Sequence, residues 1–193
     1  LTKKPEIIKN LFSKEDFEGL IKVANLNFKS KDSTFELNKS RWVYYGPELK
    51  GYAEKLVPLA REVFGSKTLL VSNVIGAHYF GKGKLPKHVD NNACTYTLDL
   101  CLYQNEPWDI GVTHDGEDAM YTLMPNEALA FYGNDQEHWR PDFPNPSSNQ
   151  IGMVFFHFVE PDHWFFTKGK SWIRVITGSI TEEQWEEQNK RDK

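Results

Sequence analysis

Two side chains that bind hard or borderline metals stand one residue apart in His88-Val89-Asp90. On an extended strand, positions i and i+2 face the same way, so both heads can reach one ion without bending the backbone. A divalent transition metal needs a third ligand. His138, in Glu137-His138-Trp139-Arg140 fifty residues further on, is the best candidate. Two imidazoles and one carboxylate leave one side of an octahedral ion open, which suits Fe(II) oxygen chemistry. His88 and Asp90 would come from the end of one strand. His138 would come from the start of another, after Leu129-Ala130-Phe131-Tyr132-Gly133. A double-layered sheet rolled into a barrel brings such strand ends together.

Capping, period and turn chemistry place the elements around these ligands. Residues 1–12 form a short lead-in whose Ile7, Ile8 and Leu11 can pack. Ser13 then opens a helix: Ser13 and Asp16 resemble a capping pair, and Phe12 and Phe17 hold the staple positions. Phe17, Leu20, Ile21 and Ala24 make its apolar stripe. Residues 27–40 are polar and read as a loop, and residues 41–45 as a strand. Gly46-Pro47 starts a second helix that runs toward Phe64 and stops at Gly65; Pro58 inside it predicts a kink or a break into two helices. From Thr68 the period changes to two. Strand-like runs lie at 68–80, 94–103, 119–124, 128–132 and 150–159, separated by turn signals such as Asn91-Asn92, Asp115-Gly116 and Pro125-Asn126. Short strands so spaced read as a β-sandwich or barrel. Residues 172–177 suit a further strand. Thr181 and Gln184 form a capping box, with Ile180 and Trp185 as the staple, for a final charged helix. The expected class is α+β, mainly β, in a single domain over 1–193: helical support over 1–67, a barrel core over 68–160 and an extension over 161–193.

A chain of 193 residues can bury a substantial core, and 39% hydrophobic against 26% charged residues excludes a disordered one. The net charge of −4 gives no overall pull toward nucleic acid or an anionic membrane. No apolar run approaches the ~20 residues of a membrane span, and no signal-peptide pattern is present. Cys94 and Cys101, seven apart in one strand-like run, would face opposite ways, which argues against a bridge. Two thiols outside any disulfide or CxxC pattern fit a reducing compartment, so a cytoplasmic location is expected.

Over roughly residues 74–159 the sequence resembles the 2-oxoglutarate-dependent Fe(II) oxygenase superfamily. Tyr79-Phe80-Gly81-Lys82-Gly83 and then Pro86-Lys87-His88-Val89-Asp90-Asn91 are similar to the opening of the prolyl-hydroxylase-like branch. Pro125-Asn126-Glu127-Ala128-Leu129-Ala130-Phe131 is close to the segment before that family's distal histidine. His138-Trp139-Arg140 and the apolar strand 150–159, ending in His157-Phe158, resemble a bacterial and phage subgroup of unassigned substrate. The HxD pair alone is a weak signal; the three motifs in order are together strong.

The resemblance implies a double-stranded β-helix (jelly-roll) barrel holding Fe(II) on His88, Asp90 and His138. It also implies 2-oxoglutarate as cosubstrate, O2 as oxidant and ascorbate in support. The reaction implied is hydroxylation of a C–H bond with release of succinate and CO2. Asp90 argues against halogenation, which in this superfamily needs a small residue there. One departure concerns the far carboxylate of 2-oxoglutarate, which the family pairs with Lys or Arg one strand after the distal histidine. Here that neighbourhood is Asn149, Gln150 and Ile151, with no cation. A carboxylate buried without a donor is costly, and the planar fork of Arg140 suits one. Arg140 is therefore the expected anchor, Tyr79 adds a hydroxyl, and Arg41 and Arg174 are lesser candidates. The substrate leans toward a peptidyl or amino-acid-like molecule, by analogy with that branch; a small metabolite is also open. Competing classes are a cupin-like jelly-roll metal protein, isomerase or hydrolase, and a non-catalytic binding module.

Other residues carry plainer readings. His157, within an apolar strand, reads as a core histidine with a satisfied hydrogen bond rather than a ligand. His78, His114 and His163 read as ordinary loop or strand histidines, His114 with a place near the mouth. Lys82, Lys84 and Lys87 read as a solvated basic loop, and Asp115, Glu117 and Asp118 as a charged surface hairpin rather than a Ca²⁺ loop. Trp164-Phe165-Phe166 reads as a buried or edge patch more readily than a substrate platform.

Overall fold

The structure is a computed structural model, which describes residues 2–28, 33–36, 40–145, 147–163, 181 and 183. Eleven strands among them run β1 (Glu6–Ile8), β2 (Ser33–Glu36), β3 (Arg41–Tyr44), β4 (Leu70–Phe80), β5 (Leu85–His88), β6 (Tyr96–Gln104), β7 (Ile110–His114), β8 (Glu117–Tyr121), β9 (Ala128–Phe131), β10 (His138–Arg140) and β11 (Gln150–Val159). They form two antiparallel sheets. One has seven strands in the order β1-β9-β6-β11-β4-β3-β2, and the other four in the order β5-β10-β7-β8. Two helices, α1 (Lys14–Asn27) and α2 (Pro47–Phe64), complete the described elements.

The large sheet is buried on both faces, so its central strands carry apolar residues at nearly every position. On β6, Leu98, Leu100 and Leu102 join Val154, Phe156 and Phe158 of β11 in a core shared with Leu20 and Ala24 of α1 and Leu49, Ala53 and Leu56 of α2. The opposite face of the same strands packs against the small sheet. There Tyr79, Cys101, Leu129, Phe131 and Met153 meet Ile110 and Val112 of β7, with Trp108 beside them. Each fully buried Phe or Leu of these cores contributes roughly 1.5–3 kcal/mol. The helices thus back the sheet and leave the space between the sheets to the polar residues described below.

Helix α1 begins as its sequence requires, with the Ser13 hydroxyl accepting from the Asp16 N–H at 3.2 Å. Helix α2 is capped by Gly46, has Pro47 at its start, and ends at Gly65 in the left-handed region, φ 69°. Of the kink or break expected at Pro58, the break does not occur: α2 runs from Pro47 to Phe64 as one helix. Pro58 lies on the exposed side, so the Glu54 carbonyl that loses its partner can take water. Residues 33–36, read as loop, form β2, whose Phe35 packs on Trp42 and stacks on Phe80. Residues 6–8 form the edge strand β1 on β9. Cys94 lies in a single 3-10 turn, Asn92–Cys94, rather than in β6; both cysteines are buried and free, as expected. Asp115-Gly116 is the turn of the β7–β8 hairpin. The expected strand over 172–177, Arg174, the 164–166 aromatic run and the final helix lie outside the described residues, Thr181 and Glu183 apart.

Candidate metal centre

Strand β5 ends at His88 and β10 starts at His138, and in the antiparallel pair these two residues are direct partners. Directly opposed side chains share a face of the sheet, so pairing alone brings residues fifty apart in sequence side by side. Their ring centroids are 4.4 Å apart. Asp90 follows β5, held by its N–H on the Gly133 carbonyl at 2.8 Å. Its Oδ1 lies 3.5 Å from His88 Nε2 and 3.7 Å from His138 Nε2. One donor atom from each of the three residues falls within 4.8 Å of the others.

Each imidazole is oriented from behind. His88 Nδ1 is 2.7 Å from the Pro86 carbonyl and His138 Nδ1 is 3.0 Å from that of Gln136. A carbonyl only accepts, so Nδ1 carries a proton in both rings and Nε2 is the nitrogen turned to Asp90, a proton donor to the carboxylate until a metal takes the proton's place. This second-layer bond is what fixes metal-binding histidines. Burial pushes the Asp90 carboxyl up, but the hydrogen bonds of His138 and His88 and the charges of His138 and His157 outweigh it and hold the group well below the usual carboxylate range. Burial pushes His138 down, and Asp90 more than reverses that. An ion placed among three such donors replaces the proton they now share.

Gly133 permits this closeness. A methyl group there would stand 2.6 Å from the Cys94 carbonyl oxygen, 2.6 Å from Thr97 Oγ1 and 2.7 Å from Asp90 Oδ2. A cavity of about 220 Å³ opens over the three ligands, with Arg41, Cys94, Asp99 and His157 also on its walls. A larger hollow of about 500 Å³ is lined, among the described residues, by Phe28, Trp42, His78, Phe80 and Tyr103, with Asn25 and Gln150.

The two expected cosubstrate contacts are placed deeper. Arg140, two residues after His138 on β10, is 3% exposed; its Nη1 donates to the Trp108 carbonyl at 2.6 Å, and its Nε has no partner. Tyr79 is fully buried, and its hydroxyl takes a 2.5 Å hydrogen bond from Arg41 Nη1. Tyr79 and Arg140 both pack on Trp108, each 5.0 Å from its ring. Arg41, a lesser candidate from sequence, is on the cavity wall, with its Nε on Glu36 at 2.6 Å. His114 instead meets Gln136 at 3.1 Å, and Lys87 pairs with Asp118 and Glu137 on the surface.

Three wall residues were not picked out as functional by sequence. Asp99 is 4% exposed and burial pushes its carboxyl up to about 6, against the pull of Arg140 and His138. His157 is buried as expected and does bond, Nδ1 to Thr97 Oγ1 at 3.1 Å, yet it also faces the cavity. Cys94 completes the set. Cys94 and Asp99 follow the HxD pair in the next turn and strand, whereas His157 lies far along the chain on β11, and period alone does not distinguish any of the three from core.

No protein-family model matches the chain, and no curated protein does. Solved structures do match it in shape. HygX from Streptomyces hygroscopicus, with nickel and 2-oxoglutarate bound, is 10% identical with a TM-score of 0.64, over 82% of this chain and 83% of that one. A Pseudomonas putida prolyl-4-hydroxylase is 9% identical with a TM-score of 0.62, over 81% and 92%. The viral collagen prolyl hydroxylase of Paramecium bursaria Chlorella virus-1, a 2OG complex, is 15% identical with a TM-score of 0.58, over 81% and 95%. At these identities the likeness establishes the fold: a mainly-β chain of two antiparallel sheets backed by helices, built as the 2OG-Fe(II) oxygenases are.

Proposed function

We propose that this chain is a 2-oxoglutarate- and Fe(II)-dependent dioxygenase that hydroxylates a C–H bond of a peptidyl or amino-acid-like substrate. The observation that carries this is the convergence of His88, Asp90 and His138, with both imidazoles pinned through Nδ1 so that Nε2 faces the carboxylate. The donor set fits Fe(II): three ligands on one side, with the other side left to the cavity. Bound iron and 2-oxoglutarate would supply the oxidising power, with succinate and CO2 released. The protein's part is to hold the ion, orient the cosubstrate and keep the apolar walls dry. Arg140 is the cation we assign to the far carboxylate, because its buried Nε lacks a partner. Tyr79, whose ring packs on Trp108 and whose hydroxyl accepts from Arg41, is assigned to the cosubstrate with Arg140. Arg41 is the second supplier, favoured by its place on the cavity wall.

The substrate class is supported by the prolyl-hydroxylase-like segment in the sequence and by prolyl hydroxylases among the solved structures of this fold. Two free buried thiols support a reducing compartment such as the cytoplasm. The test is succinate release from 2-oxoglutarate after adding Fe(II) and ascorbate in air. Wild type should produce succinate and His138→Ala none. Absence of succinate with every metal tried rejects the proposal and favours a binding module. Turnover of another kind with Zn²⁺ or Mn²⁺, without succinate, favours the cupin-like reading.

A further inference from the structure

Beyond the ligands already assigned, the cavity has a second corner of donors. Asp90, Cys94 and His157 each place one donor atom within 4.8 Å of the other two. Cys94 and His157 are each 3% exposed. The protonation of His157 follows from its neighbour. The Thr97 hydroxyl has one proton and donates it to the Cys94 carbonyl at 3.2 Å. Its contact with His157 Nδ1, 3.1 Å, must then be a bond that Nδ1–H donates. With Nδ1 engaged there, Nε2 is the ring nitrogen left to meet a ligand. Imidazole, carboxylate and sulfur thus meet in one buried corner, three ligand types that together suit a divalent ion.

Asp90 is shaped to serve two neighbours at once. Its Oδ1 is the oxygen nearest His88 and His138, whereas Oδ2 lies beside Gly133. A carboxylate so placed can bridge two ions, which in two-metal sites stand roughly 3.5–4 Å apart. Cys94 is held only by a long contact, Sγ to Asn91 Oδ1 at 3.9 Å, and that oxygen already accepts from Ala93 N–H at 2.9 Å.

We propose that Cys94 and His157, with Asp90 as a shared bridging ligand, form a second metal position that takes a borderline-soft divalent ion of the Zn²⁺ class. The proposal rests on the reading of His88, Asp90 and His138 as the first site, because Asp90 belongs to both. Its chemistry differs from that site: the first set has no sulfur and suits Fe(II), while thiolate, imidazole and carboxylate are the ligands zinc prefers. Binding exchanges the Cys94 S–H proton for a metal–sulfur bond and releases that proton to solvent.

Co²⁺ titration of the whole metal-free chain tests this, because thiolate ligation to cobalt gives a charge-transfer band in the near ultraviolet. Wild type should bind two equivalents, with the band growing as the sulfur-bearing position fills. Cys94→Ser should remove the band and one equivalent, and Cys101→Ser should leave both. His157→Asn keeps a donor to Thr97 but has no group at the Nε2 position, and should also lose one equivalent, which keeps the outcome readable where the serine variant does not fold. His138→Ala separates the two readings: it should cost one equivalent and keep the band, and a band retained with no equivalent lost rejects the first site alone. Absence of the thiolate band in wild type, or a band that persists in Cys94→Ser, overturns the proposal.

Discussion

Arg140 and Gly133 act on the site in opposite ways, one by the charge it brings and the other by the atom it lacks. Arg140 is buried with a free Nε, and a buried guanidinium without a full set of acceptors waits for an anion. If it anchors 2-oxoglutarate, Arg140→Ala should raise the 2-oxoglutarate concentration for half-maximal succinate release by about tenfold or more, a loss of roughly 1.4 kcal/mol per tenfold. Iron affinity should hardly change, since His138 keeps its own bond to the Gln136 carbonyl. The same rise in Arg41→Ala, with Arg140→Ala unaffected, would move the anchor to the cavity wall. Gly133 sits where a methyl group would come 2.6 Å from a backbone oxygen and 2.7 Å from Asp90 Oδ2. The backbone oxygen cannot rotate away, so Asp90 must move. Gly133→Ala should weaken Fe(II) binding by about 10–100-fold, as second-layer changes commonly do. Metal affinity equal to wild type in a folded Gly133→Ala protein would show that Asp90 is not a ligand.

At the scale of elements, what was legible in the sequence is what local chemistry decides. Ser13, Pro47 and Gly65 mark helix ends, and the structure puts the ends there. The long strands β4, β6 and β11 were visible because they carry period two or continuous apolar runs, and the four-residue β9 because all four of its residues are apolar. The strands that build the site were harder to see: β5 and β10 have four and three residues, too few for a period. They were reached through their histidines, not through their pattern. Phe35 makes β2 a strand only by packing on Trp42 and Phe80, a tertiary fact no window of polar residues contains. Pro58 shows the reverse, a local rule overridden by the buried face of α2. That override has a cost. Pro58→Ala should restore a hydrogen bond to the Glu54 carbonyl and remove the ring's clash. A helix-interior proline costs up to ~3 kcal/mol relative to alanine, less the 0.4–1 kcal/mol or so a proline returns by restricting the unfolded chain. A gain of about 1–2 kcal/mol in urea unfolding is expected; a loss would mean that Pro58 makes a contact α2 depends on.

For the molecule as a whole, the space between the sheets is unusual in holding charge. Thr97, Asp99, His138, Arg140 and His157 are all buried there, beside apolar walls that stabilise the fold. The sequence showed these residues but not their convergence, which depends on how two sheets close. Asp99 is the costly one, because burial pushes its carboxyl up to about 6, whereas an unfolded chain's aspartate titrates near its ordinary value, about 3.9. Between those values the folded protein keeps a proton that the unfolded chain has released. Stability must therefore fall as pH rises from about 4 to about 6, with the penalty complete above that. A shift of this size is worth about 1–3 kcal/mol. Asp99→Asn removes the titration, so its stability relative to wild type, in metal-free protein, should climb by that amount between pH 4 and pH 7 and then level off. Denaturant unfolding of both proteins across this range measures it. The difference isolates Asp99 from other carboxyls, Asp90 among them, that titrate in both chains. A difference independent of pH would mean that Asp99 ionises as freely inside the barrel as in water, and that the barrel's interior is wetter than its burial implies.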